Sequence, residues 1–120
     1  MNQATLLGRL GHDSELKETK TSGQKVLTFY MATSQKWKDK EGKMQESIQW
    51  HRIVVWGNYG ESLAFLKKGQ EVLVVGTLKY NAWKNAQGQD VLTAEVHADR
   101  ITALRSPAVK PEVAPEPVAI

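Results

Sequence analysis

Apolar and polar residues alternate with a period of two along most of this chain, the signature of strands that bury one face. Leu6-Leu7-Gly8-Arg9-Leu10-Gly11 opens the pattern, and glycines inside an apolar strand predict a bulge or a sharp bend. In Val26 to Ser34, Leu27, Phe29 and Met31 fall on one face and Thr28, Tyr30 and Ala32 on the other. Ser47 to Trp56 places Ile48, Trp50, Arg52, Val54 and Trp56 on one side and Gln49, His51, Ile53 and Val55 on the opposite side. The period then changes. From Asn58 to Lys68, Tyr59, Leu63 and Leu66 follow helical spacing, with Asn58 as cap, Glu61 in the first turn, Lys67 and Lys68 in the last and Gly69 just past the end. Glu71 to Tyr80 and Val91 to Leu104 complete the set. Turn signals at Ser22-Gly23, Glu41-Gly42 and Gln87-Gly88 join the strands, the longest loops being Gln35 to Glu46 and Asn81 to Asp90.

Five strands with one short helix between the third and fourth, bent by glycines, predict an all-β Greek-key barrel of the OB type, which offers strands two and three and two loops to an oligomeric ligand. A small open α+β sheet is the rival arrangement. All four prolines, Pro107, Pro111, Pro115 and Pro117, lie near the C-terminal end among Ala and Val, so residues 1–105 are expected to form the domain and 106–120 an extended or disordered tail.

Composition narrows the chemistry. At 120 residues the chain is too short for a large catalytic α/β architecture, and it has no cysteine for disulfides, thiolate zinc sites or thiol nucleophiles. It contains no apolar run long enough to span a membrane and opens without the pattern of a secretion signal, so a cytoplasmic, nucleoid-associated protein with no membrane partner is expected. The net charge of +3 tilts only slightly toward polyanions. His12, His51 and His97 are scattered, and no phosphate loop or nucleophile motif is present, so neither catalysis nor a cofactor is expected. Glu95, His97 and Asp99 share a strand face at alternate positions, but with no further ligand to name they read as a solvated face, and no metal is expected.

The four tryptophans carry the functional reading. Trp50 and Trp56 point to one sheet face with Arg52 between them, while Ile53 and Val55 point to the other. Alternation alone leaves open whether the indoles or the aliphatics form the core. Trp37 lies among Lys36, Lys38, Lys40 and Lys43, and Trp83 beside Lys84, both in expected loops where burying an indole is costly. Together they outline a groove in which indoles stack on unpaired bases and the lysines and Arg52 neutralise phosphates. A duplex reader would carry a basic recognition helix, which the one helix expected here is not.

Leu7-Gly8-Arg9-Leu10-Gly11, Ala32-Thr33-Ser34 followed by Trp37, Trp50-His51-Arg52, Leu66-Lys67-Lys68-Gly69, and Gly88-Gln89-Asp90 after Trp83 resemble the bacterial single-stranded DNA-binding protein family over about residues 4 to 104. The resemblance implies an OB fold, a homotetramer, and sequence-independent wrapping and protection of single-stranded DNA in replication, recombination and repair. By motif position Trp37, Trp50, Trp56 and Trp83 look like the family's stacking aromatics, Trp56 standing where phenylalanine is common. His51 resembles a subunit-interface residue, and Leu6 and Leu7, with the apolar run Val72 to Val75, supply surface for the same contact. Asn81-Ala82 stand where the family often has basic residues. The chain ends Glu116-Pro117-Val118-Ala119-Ile120, without the acidic, Phe-terminated tip through which the family recruits other genome-maintenance proteins, so such recruitment is not expected of it. An RNA-binding OB domain and an OB-type interaction subunit, such as a primosomal adaptor, are the alternatives.

Overall fold

The computed structural model describes residues 1–105; the expected tail lies outside the described residues. Strands β1 (Ala4–Leu10), β2 (Glu15–Glu18), β3 (Lys25–Lys38), β4 (Met44–Trp56), β5 (Glu71–Lys84) and β6 (Asp90–Ala103) form one sheet in the order β1-β5-β6-β4-β3-β2. An additional β1–β3 pairing closes it into a barrel. β1 covers the expected first strand, whereas β2 is a short sixth strand that the period-two pattern does not mark. Both pair antiparallel with β3, Leu10 opposite Met31 and Glu15 opposite Thr28, so residues 11–14 form the bend between them. Gly8 permits the closure: a Cβ there would collide with the Ala32 carbonyl of β3.

The core is the inward parity of each strand. Leu27, Phe29 and Met31 meet Ile53 and Val55, Val72 and Val74, Val96 and Ile101, with Leu63 and Leu66 closing one end. The indoles are not part of it, which settles the question that alternation left open.

Two departures from the sequence reading matter. The helix α1 is confined to Gly57–Ser62 and begins at Trp56 without a side-chain cap, so Asn58 is not its cap, Glu61 is not in its first turn, and Lys67 and Lys68 are not in its last. Beyond Ser62 the chain winds in three-residue turns, Leu63 N–H donating to Gly60 O and Leu66 N–H to Leu63 O. Its backbone is claimed by the bend between β1 and β2 instead: Ser14 N–H donates to Leu66 O, Gly69 N–H to Leu10 O, and Lys68 N–H to the Asp13 carboxylate. The helical spacing of Leu63 and Leu66 marks two side chains plugging a barrel end, and tertiary hydrogen bonds override a continued helix.

The second departure concerns the loops. β3 and β4 run as a continuous ladder out to Lys38 opposite Met44, and β5 and β6 out to Lys84 opposite Asp90. The expected connections over Gln35 to Glu46 and Asn81 to Asp90 are therefore mostly strand. Two long ribbons project from the barrel, and Trp37 and Trp83 sit on strands rather than in loops. Each tip is a tight turn, with Gly42 and Gly88 at positive φ. Asp39 Oδ1 at one tip accepts from the Glu41 and Lys43 amides, and Asn85 Oδ1 at the other accepts from Gln87 and Gln89.

Candidate nucleic-acid interface

Parity determines what each ribbon displays. On the outer face of β3 and β4, Tyr30 lies opposite Arg52, Ala32 opposite Trp50, and Ser34 opposite Ile48. On the matching face of β5 and β6, Asn81 lies opposite Thr93 and Trp83 opposite Val91. The parallel pairing of Arg52 with Glu95 joins the two ribbons at the barrel wall. Between them Tyr30, Trp50, Arg52, Asn81, Trp83 and Glu95 line an open cavity of about 520 Å³. Trp50 is 58% exposed, Trp83 49%, Trp37 46% and Trp56 43%, so all four rings offer surface to solvent. Trp50 is seated by an absence, since its six-membered ring lies where a Cβ on Gly11 would be.

The cavity floor is an ionic network. Arg52 Nε donates to Glu95 Oε2 at 3.1 Å, Arg52 Nη1 to the Tyr30 hydroxyl at 3.4 Å, and the guanidinium lies 5.8 Å from the centre of the Tyr30 ring. The other Glu95 oxygen lies 2.8 Å from His97 Nε2, and His97 Nδ1 lies 3.2 Å from Trp56 Nε1. Burial pushes the Glu95 carboxyl up, yet hydrogen bonds from His97, Asn81 and Arg52 outweigh it and leave the group below the ordinary range, a secure anion. The hydrogen bond to Tyr30 raises the Arg52 pKa in turn, burial opposing it.

Several expected positions change meaning here. Glu95 is buried rather than part of a solvated face, and a bulge removes Asp99 from the ladder: Val75 pairs with Arg100 and Gly76 with Ala98. Among the described residues no group of three His, Asp or Glu is arranged to hold a metal. Trp37 lies on the opposite parity to Trp50, facing away from Lys36 and Lys38 on its own ribbon, so the structure does not bring Trp37 and those lysines into one cluster. Lys40 and Lys43 are at the exposed tip. Lys84 is already engaged, donating to Asp90 at 2.8 Å, as Arg52 is by Glu95. His51 is half-buried with Nε2 2.8 Å from the Thr33 hydroxyl, and desolvation lowers its pKa. Leu6 is partly buried against the barrel's own core, whereas Leu7 points outward and is 54% exposed. Tyr30, Asn81 and Gly11 were not among the sequence candidates, and Glu95 and His97 were weighed only as metal ligands on a solvated face. The ladder opposite Arg52 would have flagged Tyr30, but nothing local flags Asn81 or Gly11, or the contacts of Glu95 and His97 with Arg52 and Trp56.

The chain matches the Single-strand binding protein family over residues 1–104. It belongs to that family. A relative from Chlorobaculum tepidum, single-stranded DNA-binding protein 1, is 42% identical over 91 residues, covering 75% of this chain and 56% of that protein. The chain thus spans little more than half the length of that relative. Among solved structures, the Plasmodium falciparum SSB complex with ssDNA superposes with a TM-score of 0.79 at 30% identity, covering 88% of this chain and 96% of that one. A deletion mutant of the single-stranded DNA binding protein from Thermus aquaticus gives 0.76 at 27%, covering 88% and 51%. The family match over residues 1–104 includes both projecting ribbons of this chain. No helix among the described residues is long and apolar enough to cross a membrane.

Proposed function

We propose that this chain binds single-stranded DNA with little regard to sequence, as a non-enzymatic protector of exposed strands in replication, recombination and repair. The observation that carries the reading is the pairing of Trp50 and Trp83 across one open cavity, with Arg52 on its floor. Unpaired bases have faces free to stack on indoles, and each such stack contributes about 1 to 3 kcal/mol. Trp37, on the other face of the β3–β4 ribbon, and Trp56, at the barrel end of β4, are further exposed indoles on which bases can stack outside this cavity. Lys36, Lys38, Lys40 and Lys43 carry the phosphate attraction, with Lys84 and Arg52 contributing less because each already holds a carboxylate. The binding unit is the domain of residues 1–105.

The same reading includes a homotetramer. Leu7 and Ile48 are each 54% exposed, and Leu73, opposite Leu7, shares its outward face, so apolar strand surface is left for another copy to cover. Half-buried His51, on the opposite face of β4 from Ile48, and Leu6, partly buried against the core, enter the proposed contact only at its margin.

Fluorescence anisotropy of a labelled oligo-dT tests the assignment. Wild type is expected to bind, and Trp50→Ala and Trp83→Ala each to weaken binding by about 1 to 3 kcal/mol while circular dichroism stays unchanged. Undiminished binding by both variants would remove the cavity from the interface. A labelled oligo-U of the same length reports whether ribose is accepted as well.

A further inference from the structure

Trp56 stands apart from the Trp50/Trp83 cavity, and its ring is held by a hydrogen bond. An indole Nε1–H only donates, so His97 Nδ1, 3.2 Å away, must present a lone pair. The imidazole proton then resides on Nε2, where it is donated to Glu95 Oε1 at 2.8 Å. The tautomer follows from the two neighbours, and it requires a neutral ring. The two rings have centroids 6.4 Å apart and planes inclined by 35°, so they meet through their edges and the imidazole does not cover the indole's faces. Glu95 is anchored from its other oxygen by Arg52. The chain of contacts Tyr30, Arg52, Glu95, His97, Trp56 therefore crosses the outer faces of β3, β4 and β6 and connects the cavity floor to the distant indole.

We propose that His97, in its neutral Nε2–H form, is a positioning residue that fixes the plane of Trp56 for stacking, so that the ordering of this indole depends on pH. This rests on the reading of the surface as a single-strand interface. Protonation at Nδ1 sets an N–H against an N–H; the bond to Trp56 is lost while the bond to Glu95 persists. The freed ring must then be ordered at the moment a base stacks on it. The ionisable groups around His97 are Glu95 on its own strand, Asp99 and Arg100 at the bulge, Arg52 on β4, and Lys79, opposite Glu95, on β5.

The test begins without DNA. The four indole N–H signals are followed by ¹H–¹⁵N NMR on the full chain from about pH 8 to about pH 5, the range in which histidines titrate, with Trp56→Phe assigning the relevant peak. The Trp56 signal is expected to move with a single titration in wild type. In His97→Gln, whose amide oxygen accepts from Trp56 and does not titrate, it should stay near its high-pH position, and in His97→Ala it should sit near the low-pH position throughout. A Trp56 signal that does not move in wild type, or that titrates equally in His97→Gln, overturns the proposal. The second arm is oligo-dT affinity. Acidification over the same range is expected to cost wild type about three- to fivefold relative to His97→Gln, the size of one ordinary hydrogen bond, and the difference should vanish in the Trp56→Phe background. Tighter wild-type binding on acidification relative to His97→Gln would show the imidazolium acting as one more phosphate contact and sink the idea. Absence of binding at pH 8 in every variant would instead reject the single-strand reading, leaving the NMR arm to decide the positioning role by itself.

Discussion

Trp50 shows how a surface indole is held rather than merely exposed. Its ring occupies the space that a side chain on Gly11 would fill, and its own strand alternates so that Ile53 and Val55 take the core in its place. Gly11→Ala is therefore expected to displace the Trp50 ring and weaken oligo-dT binding, by about 1 to 3 kcal/mol if the stack is lost entirely. A fully retained affinity in titration calorimetry would show that the ring needs no such seat. His51 carries a different prediction. Desolvation lowers its folded pKa, so the unfolded chain binds the proton more readily; the stability it contributes is present above the unfolded value of about 6.5 and is lost as pH falls through the folded one. Thermal melts of wild type and His51→Gln should diverge between neutral and mildly acidic pH, with wild type losing more. At this scale the sequence was informative about outward side chains and silent about contacts: alternation located Trp50, Trp56 and Arg52, but Glu95 read as solvent-facing because its partners lie on another strand and two residues along its own.

Among the elements, strands were legible and their ends were not. Period-two patterning marks a strand only where one face is buried, and beyond the barrel wall the ribbons bury neither face, so Gln35 to Lys38 and Asn81 to Lys84 have the composition of loops while pairing as strands. Trp37 and Trp83 were recognised as exposed for a reason that does not hold, a loop position, although their exposure itself stands. The helix fails in the complementary way. Its spacing continues to Leu66, but hydrogen bonds to residues 10–14 take over after Ser62. Gly60 gives this element a sharp test. In an open helix Gly→Ala stabilises by about 1 kcal/mol, whereas here a Cβ would collide with the Val55 carbonyl and lie 3.2 Å from Leu27 Cβ. Gly60→Ala is expected to lower stability by about 1 to 3 kcal/mol in urea denaturation. An increase would mean that α1 can lift from the barrel at little cost.

For the molecule as a whole, the charge balance of +3 says little until the lysines are sorted by what they already hold. Lys84 and Lys25 face Asp90 and Glu61 at 2.8 Å, while no such ion pair involves Lys36, Lys38, Lys40 or Lys43 among the described residues. Each phosphate contact on a single strand adds about 0.7 to the slope of log affinity against log salt. Lys36→Ala should accordingly flatten that slope more than Lys84→Ala does, and equal effects would show that the Asp90 pair opens freely on binding. The barrel's outward apolar strand surface around Leu7 belongs to the same scale. Leu7→Glu is expected to shift the sedimentation coefficient toward a smaller assembly with the barrel still folded. The central claim, that indoles outside the barrel bind unpaired bases, is tested most directly by intrinsic tryptophan fluorescence during titration with oligo-dT and, separately, with a duplex of equal length. Strong quenching by the single strand that weakens as salt rises, with little quenching by the duplex, is the expected result. Equal quenching by both, or none by oligo-dT at low salt, would contradict it.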